Sequence, residues 1–79
     1  MTEVIHLPAG ADPPESDQWV HIERGDGGKF VVTTFERKHR PVIRFEPPLA
    51  SFEAAVARAR QHAARLGVEA IHAFGCEEP

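Results

Sequence analysis

The amino-acid sequence predicts an α+β domain: a two-layer sandwich of order β-β-β-α-β, with one helix packed on a small, mixed, mostly antiparallel sheet. Three observations lead there. Residues 51–67 place Phe52, Ala55, Val56, Ala59, Ala63 and Leu66 at helical spacing, between a serine and a glycine. Residues 18–24 and 29–35 are rich in aromatic and β-branched residues, and Gly25-Asp26-Gly27-Gly28 between them reads as a hairpin turn. A further apolar run at 69–74 follows the helix, so the chain returns through a right-handed crossover and sets its last strand parallel to the first and third.

Taken in order, residues 2–7 alternate weakly and suit a short edge strand, or an arm received by another copy. Pro8, Gly10, Pro13 and Pro14 then prevent a regular ladder or helix. Residues 1–16 are therefore expected as a flexible N-terminal arm and Pro-rich linker, 17–75 as a single α+β domain, and 76–79 as a frayed tail. If Arg24 pairs with Lys29, Val20 and Ile22 lie opposite Thr33 and Val31 on one face of the hairpin. Trp19, His21, Phe30 and Val32 then share the other face. One extra residue in the turn would reverse one strand relative to its partner, so these faces depend on the register. A third strand at 41–46 sets Ile43 and Phe45 on one side and Val42 and Arg44 on the other, and Pro47-Pro48 ends it. In the helix, Ser51 is the N-cap, Glu53 sits at the positive end of the dipole, Arg65 at the negative end, and Gly67 is the stop.

A single helix covers one face of this sheet, while both faces of the hairpin carry large apolar side chains. The second face needs a cover, either the N-terminal arm or another molecule. Trp19, Phe30 and Val32 are the expected interface residues, and a homodimer through the open face is the preferred solution.

Composition narrows the function classes. A chain of 79 residues buries only about 60% of its unfolded surface, so association with a partner would help it. The single cysteine, Cys76, excludes an internal disulfide, and no CxxC or Cys/His run replaces one with zinc. The N-terminus lacks a basic leader with a long apolar run, and no stretch is long and apolar enough for a membrane helix, so a cytoplasmic protein is expected. Charge is acidic at both ends and basic in the middle, where Arg37, Lys38, Arg40, Arg44, Arg58, Arg60 and Arg65 fall. Convergence of these side chains would attract an anionic partner, although the overall net charge of −3 is unlike a nucleic-acid domain.

Candidate chemistry is thin. Among the five histidines, His72 with Cys76 is the one closely spaced pair of metal-ligand types, and His21 would approach His72 if the first and last strands pair. A site would need further ligands, so no metal and no cofactor are expected. Ser16 lies in the linker, Ser51 is a cap, and Cys76 falls in the tail, which leaves no oriented nucleophile. The glutamates are scattered, and a noncatalytic protein is expected. The Gly25–Gly28 turn precedes a strand and lacks a P-loop lysine, so it is a turn and not a phosphate cradle. Trp19 and Phe30 near basic residues would also suit stacking of unpaired bases, with Arg37, Lys38, Arg40, Arg58 and Arg65 following phosphates.

The segment Gly28-Lys29-Phe30-Val31-Val32, followed by Ser51-Phe52-Glu53-Ala54-Ala55 at a helix start, resembles the HicB-like antitoxin domain over about half the chain. The family's usual elements between these parts are replaced by Glu36-Arg37-Lys38-His39-Arg40 and Pro47-Pro48. The whole pattern of strand, hairpin, alanine-rich helix and short strand is also similar to small uncharacterised bacterial domains. The resemblance implies a regulator of antitoxin type. The residues themselves point first to a small noncatalytic interaction module that self-associates through its open sheet face, and second to a nucleic-acid-binding or HicB-like regulator using the basic middle.

Overall fold

The computed structural model describes residues 2–12, 16–37 and 40–76. Strands β1 (Glu3–Leu7), β2 (Gln18–Arg24), β3 (Phe30–Arg37) and β4 (Pro41–Phe45) precede helix α1 (Phe52–Leu66), and β5 (Ala70–Phe74) follows it. The helix packs on one face of a five-stranded sheet of order β1-β5-β2-β3-β4, an α+β fold. β2, β3 and β4 are joined antiparallel, whereas β5 runs parallel to both β2 and β1. The sheet is therefore evenly mixed, and not mostly antiparallel.

The helix forms where its period and its ends agree. Ser51 Oγ accepts from the Ala54 N–H at 3.1 Å, and Gly67, with φ 73°, closes the last turn. Ala55, Ala59 and Ala63 are fully buried with Leu66 beside them, and Phe52 and Val56 are partly buried at the margin. Because alanine has no side chain beyond Cβ, the helix settles close to Val20, Ile22, Val32 and Ile71, all inaccessible to solvent. Glu46, just past β4, accepts from His62 and pairs with Arg58 at 3.3 Å, and Glu36 on β3 pairs with Arg65 at 3.5 Å. These contacts tie one flank of the helix to the β3–β4 side of the sheet.

The hairpin register differs from the four-residue turn. Arg24 pairs with Phe30, Ile22 with Val32 and Trp19 with Phe35, which leaves a loop running from Gly25 to Lys29. Gly27 and Gly28 both take positive φ and let the chain insert the extra residue. One residue reverses the face of everything after it. Phe30 and Val32, expected on the open face with Trp19, are turned under the helix, and Val31, Thr33 and Phe35 take their place outside.

Two boundary expectations also shift. Residues 3–7, read above as either a short edge strand or an arm and set outside the 17–75 domain, form the outer strand β1 beside β5, with Glu3 N–H donating to Glu69 O at 3.0 Å. Their partner strand lies at the far end of the chain, so the weak alternation that allows a strand there does not say which strand receives it. Cys76, expected to fray, is 4% exposed within the core under the helix. Its thiol donates to the carbonyls of Phe74 at 3.4 Å and Ile22 at 3.7 Å.

The two crossovers travel in opposite directions across the sheet. If both are right-handed they must lie on opposite faces, so a helix on one face sends the β1–β2 connection over the other. The structure agrees: Ala9, Gly10 and Ala11 line a cleft together with His21, Glu23 and Phe74, on the face away from the helix. The connection is seated on Gly75, where an added Cβ would stand 2.9 Å from Ala9 Cβ.

This seating yields a test. Gly75 (φ 64°) and Gly10 (φ 82°) share a left-handed backbone, so alanine at either should cost about 1 kcal/mol. Gly10 has open space around it, whereas Gly75→Ala must also displace the Ala9 backbone, adding roughly 1 kcal/mol or more. Urea denaturation of the two variants should rank Gly75→Ala as the more damaging. Equal losses would mean the connection does not bear on this glycine.

Candidate functional site

Alternation along the strands assembles the face opposite the helix. A central rung runs from edge to edge as Ile5, His72, His21, Thr33 and Phe45. On one side of it lie Trp19, Phe35 and Ile43, and on the other Leu7, Phe74, Glu23 and Val31. Three zones of different character result.

At the β1–β5–β2 end the connecting segment Ala9–Ala11 overhangs the sheet, and with His21, Glu23, Arg24, Phe74 and Gly75 it encloses a cleft of about 520 Å³. In the middle, aromatic rings pack on one another. The Trp19 indole stacks on His21 at 3.8 Å between centroids and on Phe35 at 5.3 Å, and His21 meets Phe74 edge-on at 4.8 Å and His72 at 5.8 Å. Trp19 is thereby half-buried by its own neighbours.

At the opposite end none of the described residues overhangs the sheet. All five residues of β4 are exposed, among them Ile43 at 53% and Phe45 at 74%, and the helix rests on β2, β3 and β5. Large apolar groups so accessible, contiguous with Phe35 and Trp19, form the uncovered part of the face. Ile43 and Phe45 were legible as neighbours on one side of a strand, but only the register shows that this is the side of Trp19.

Among the described residues, Arg58 and Arg65 lie along the helix while Arg37 lies on the opposite face of the sheet. Arg58 and Arg65 are engaged with Glu46 and Glu36 along the helix flank, and Arg65 also donates to His62 Nδ1 at 3.2 Å. The Arg37 guanidinium lies 5.7 Å from the Phe35 ring centre, on the open face. Arg40 is exposed just before β4, and Lys38 lies outside the described residues.

On this face the His21 ring is tuned toward neutrality. Burial, with the nearby His72 ring second, pushes His21 down from 6.5 to about 4. Among the described residues, neither His21 Nε2 nor His72 Nδ1 has a hydrogen-bond partner. Cys76 lies on the other side of the sheet from His72, and burial pushes its thiol up, away from a reactive thiolate. Among the described residues no three of His, Cys, Asp and Glu gather as a metal-binding group, and no helix is long and apolar enough to cross a membrane. Hydrogen bonding from His62, supported by Arg58, holds Glu46 below the usual carboxylate range.

His21 should make the fold sensitive to mild acid. Its native pKa of about 4 lies below the 6.5 of the unfolded chain, so between these values the unfolded state takes up a proton that the folded state refuses. Stability is complete above pH 6.5 and declines toward pH 4 by roughly 3 kcal/mol in all. His21→Phe should flatten urea midpoints measured from pH 7.5 to pH 5. An equal acid slope in both proteins would exclude His21 as the source.

Compared with family models, curated proteins and solved structures, the chain finds no match.

Proposed function

We propose that this protein is a small noncatalytic interaction module of the cytoplasm that associates with a second copy of itself through the β4 end of its open sheet face. The observation that carries this reading is the exposure of Ile43 and Phe45 on a strand that neither the helix nor the β1–β2 connection covers. The interface residues are revised accordingly. Trp19 contributes from the interior of the face, with Phe35, Ile43 and Phe45, whereas Phe30 and Val32 support the fold from beneath the helix. Bringing two phenyl and two isoleucine side chains together at the junction gives it an apolar centre.

A second reading has one observation in its favour. Arg37 lies over the Phe35 ring on the same face as the exposed Ile43 and Phe45, a cation beside aromatic surface that would suit stacking a base while holding its phosphate. The engagement of Arg58 and Arg65 with glutamates, and the net charge of −3, weigh toward self-association.

Sedimentation and light scattering should find a concentration-dependent dimer. Phe45→Asp or Ile43→Asp should raise its dissociation constant about 100-fold, roughly 3 kcal/mol, with the far-UV spectrum unchanged because both side chains already face solvent. Phe30→Asp, by contrast, should unfold the chain. A wild-type protein that stays monomeric at millimolar concentration defeats the proposal, and salt-dependent binding of single-stranded RNA by that monomer would favour the second reading.

A further inference from the structure

β4 is an edge strand, and the direction of its free backbone groups can be worked out. Glu46 N–H donates to Val32 O at 2.9 Å, which makes Glu46 and Val32 a hydrogen-bonded pair in register with the β3–β4 ladder. Antiparallel ladders alternate, so Arg44 and Val42 also bond toward β3. Ile43 and Phe45 therefore point their N–H and C=O groups away from the sheet, as Pro41 does its C=O. This is an unused ladder of two donors and three acceptors.

We propose that two copies join edge to edge, β4 against β4 in antiparallel pairing, with Ile43 of one chain opposite Ile43 of the other, to give one continuous ten-stranded sheet. The proposal rests on the self-association reading above and adds its geometry. Only registers that face outward-pointing residues with outward-pointing residues form hydrogen bonds, and three lie near the strand centre.

Centred on Ile43, each Ile43 N–H meets the other Ile43 C=O, and each Phe45 N–H meets the other Pro41 C=O. All four donors are satisfied, and the donor that proline lacks falls at the rim, where water reaches the Phe45 carbonyl. On the open face Ile43 stacks on Ile43 and Phe45 on Pro41. On the helix face Val42 opposes Arg44, and one rung outward Arg40 opposes Glu46, which are opposite charges.

Centred on Arg44, the same number of hydrogen bonds forms, but two guanidiniums lie directly opposite each other in a narrow, non-hydrogen-bonded pair. Centred on Val42, the Phe45 N–H groups find no partner among residues 41–45, and Arg40 is set against Arg44. Charge and donor matching thus select the Ile43 register.

Pro41 at one end of the strand and Pro47-Pro48 just beyond the other would serve as ordinary guards of an exposed edge. Here they also limit the ladder to its central residues. A two-fold axis at Ile43 uses the same edge on both chains, so assembly stops at two.

Engineered cysteines in a Cys76→Ser background test the register. In the proposed pair the two Ile43 Cα atoms lie about 5.5 Å apart, within disulfide reach. Two Arg44 positions, each displaced by two residues from the other, lie beyond it. Mild oxidation of Ile43→Cys should convert most of the protein to a covalent dimer on non-reducing gels, and Arg44→Cys should remain uncoupled. A wild-type dimer by light scattering in which Arg44→Cys couples, or in which neither position does, overturns the edge pairing while leaving self-association standing. A monomeric wild type removes both.

Discussion

The constraint on which this structure depends is a mismatch of widths. Five strands about 4.8 Å apart span roughly 19 Å between outer axes, while one helix is about 10 Å across. The helix can cover three strands, and it rests on β5, β2 and β3. The outer two are handled differently. β1 turns Val4 inward against the core and sets the His6 ring 5.6 Å from Phe52, so it borrows the helix N-terminus as its cover. β4 has no such partner. Val42, Arg44, Ile43 and Phe45 all remain in solvent, and the apolar surface that the fold cannot hide collects on this strand.

The helix–sheet seam shows why that surface cannot simply be withdrawn. Alanines at 55, 59 and 63 bring the helix close to the sheet and leave no long side chain to reach sideways over β4. What reaches that way is polar: Arg58 and His62 to Glu46, and Arg65 to Glu36. Partly exposed pairs of this kind add little stability. Their effect is to fix the helix axis on the sheet and to occupy cations that would otherwise be free to meet an anion.

Much of this could be read from the residues alone, for identifiable reasons. The helix announces itself because its apolar period, serine cap, acidic first turn and terminal glycine agree. The order of strands around it follows from turn chemistry and crossover handedness. The hairpin register could not be read, because Gly25 through Lys29 accommodates loops differing by one residue, and that residue exchanges Phe30 and Val32 for Val31, Thr33 and Phe35. β1 was legible only as an edge strand or an arm, and its place inside the domain was not, because its ladder partner is far along the chain. The uncovered strand was hidden for a third reason: Pro41–Phe45 alternates as a half-buried strand does, and nothing in such a pattern states that the layer meant to bury it stops one strand short.

β5 lies between β1 and β2, yet it is the last element of the chain. Until it arrives, the first strand has no ladder to join and the segment leading out of it has no floor to rest on. The β2–β3–β4 meander pairs only between chain neighbours, whereas β5 is the wedge that joins it to β1. Loop-closure entropy makes such distant pairings slow to form. The β4 flank of the sheet, by contrast, is complete with its neighbour β3 alone and owes nothing to that distant strand.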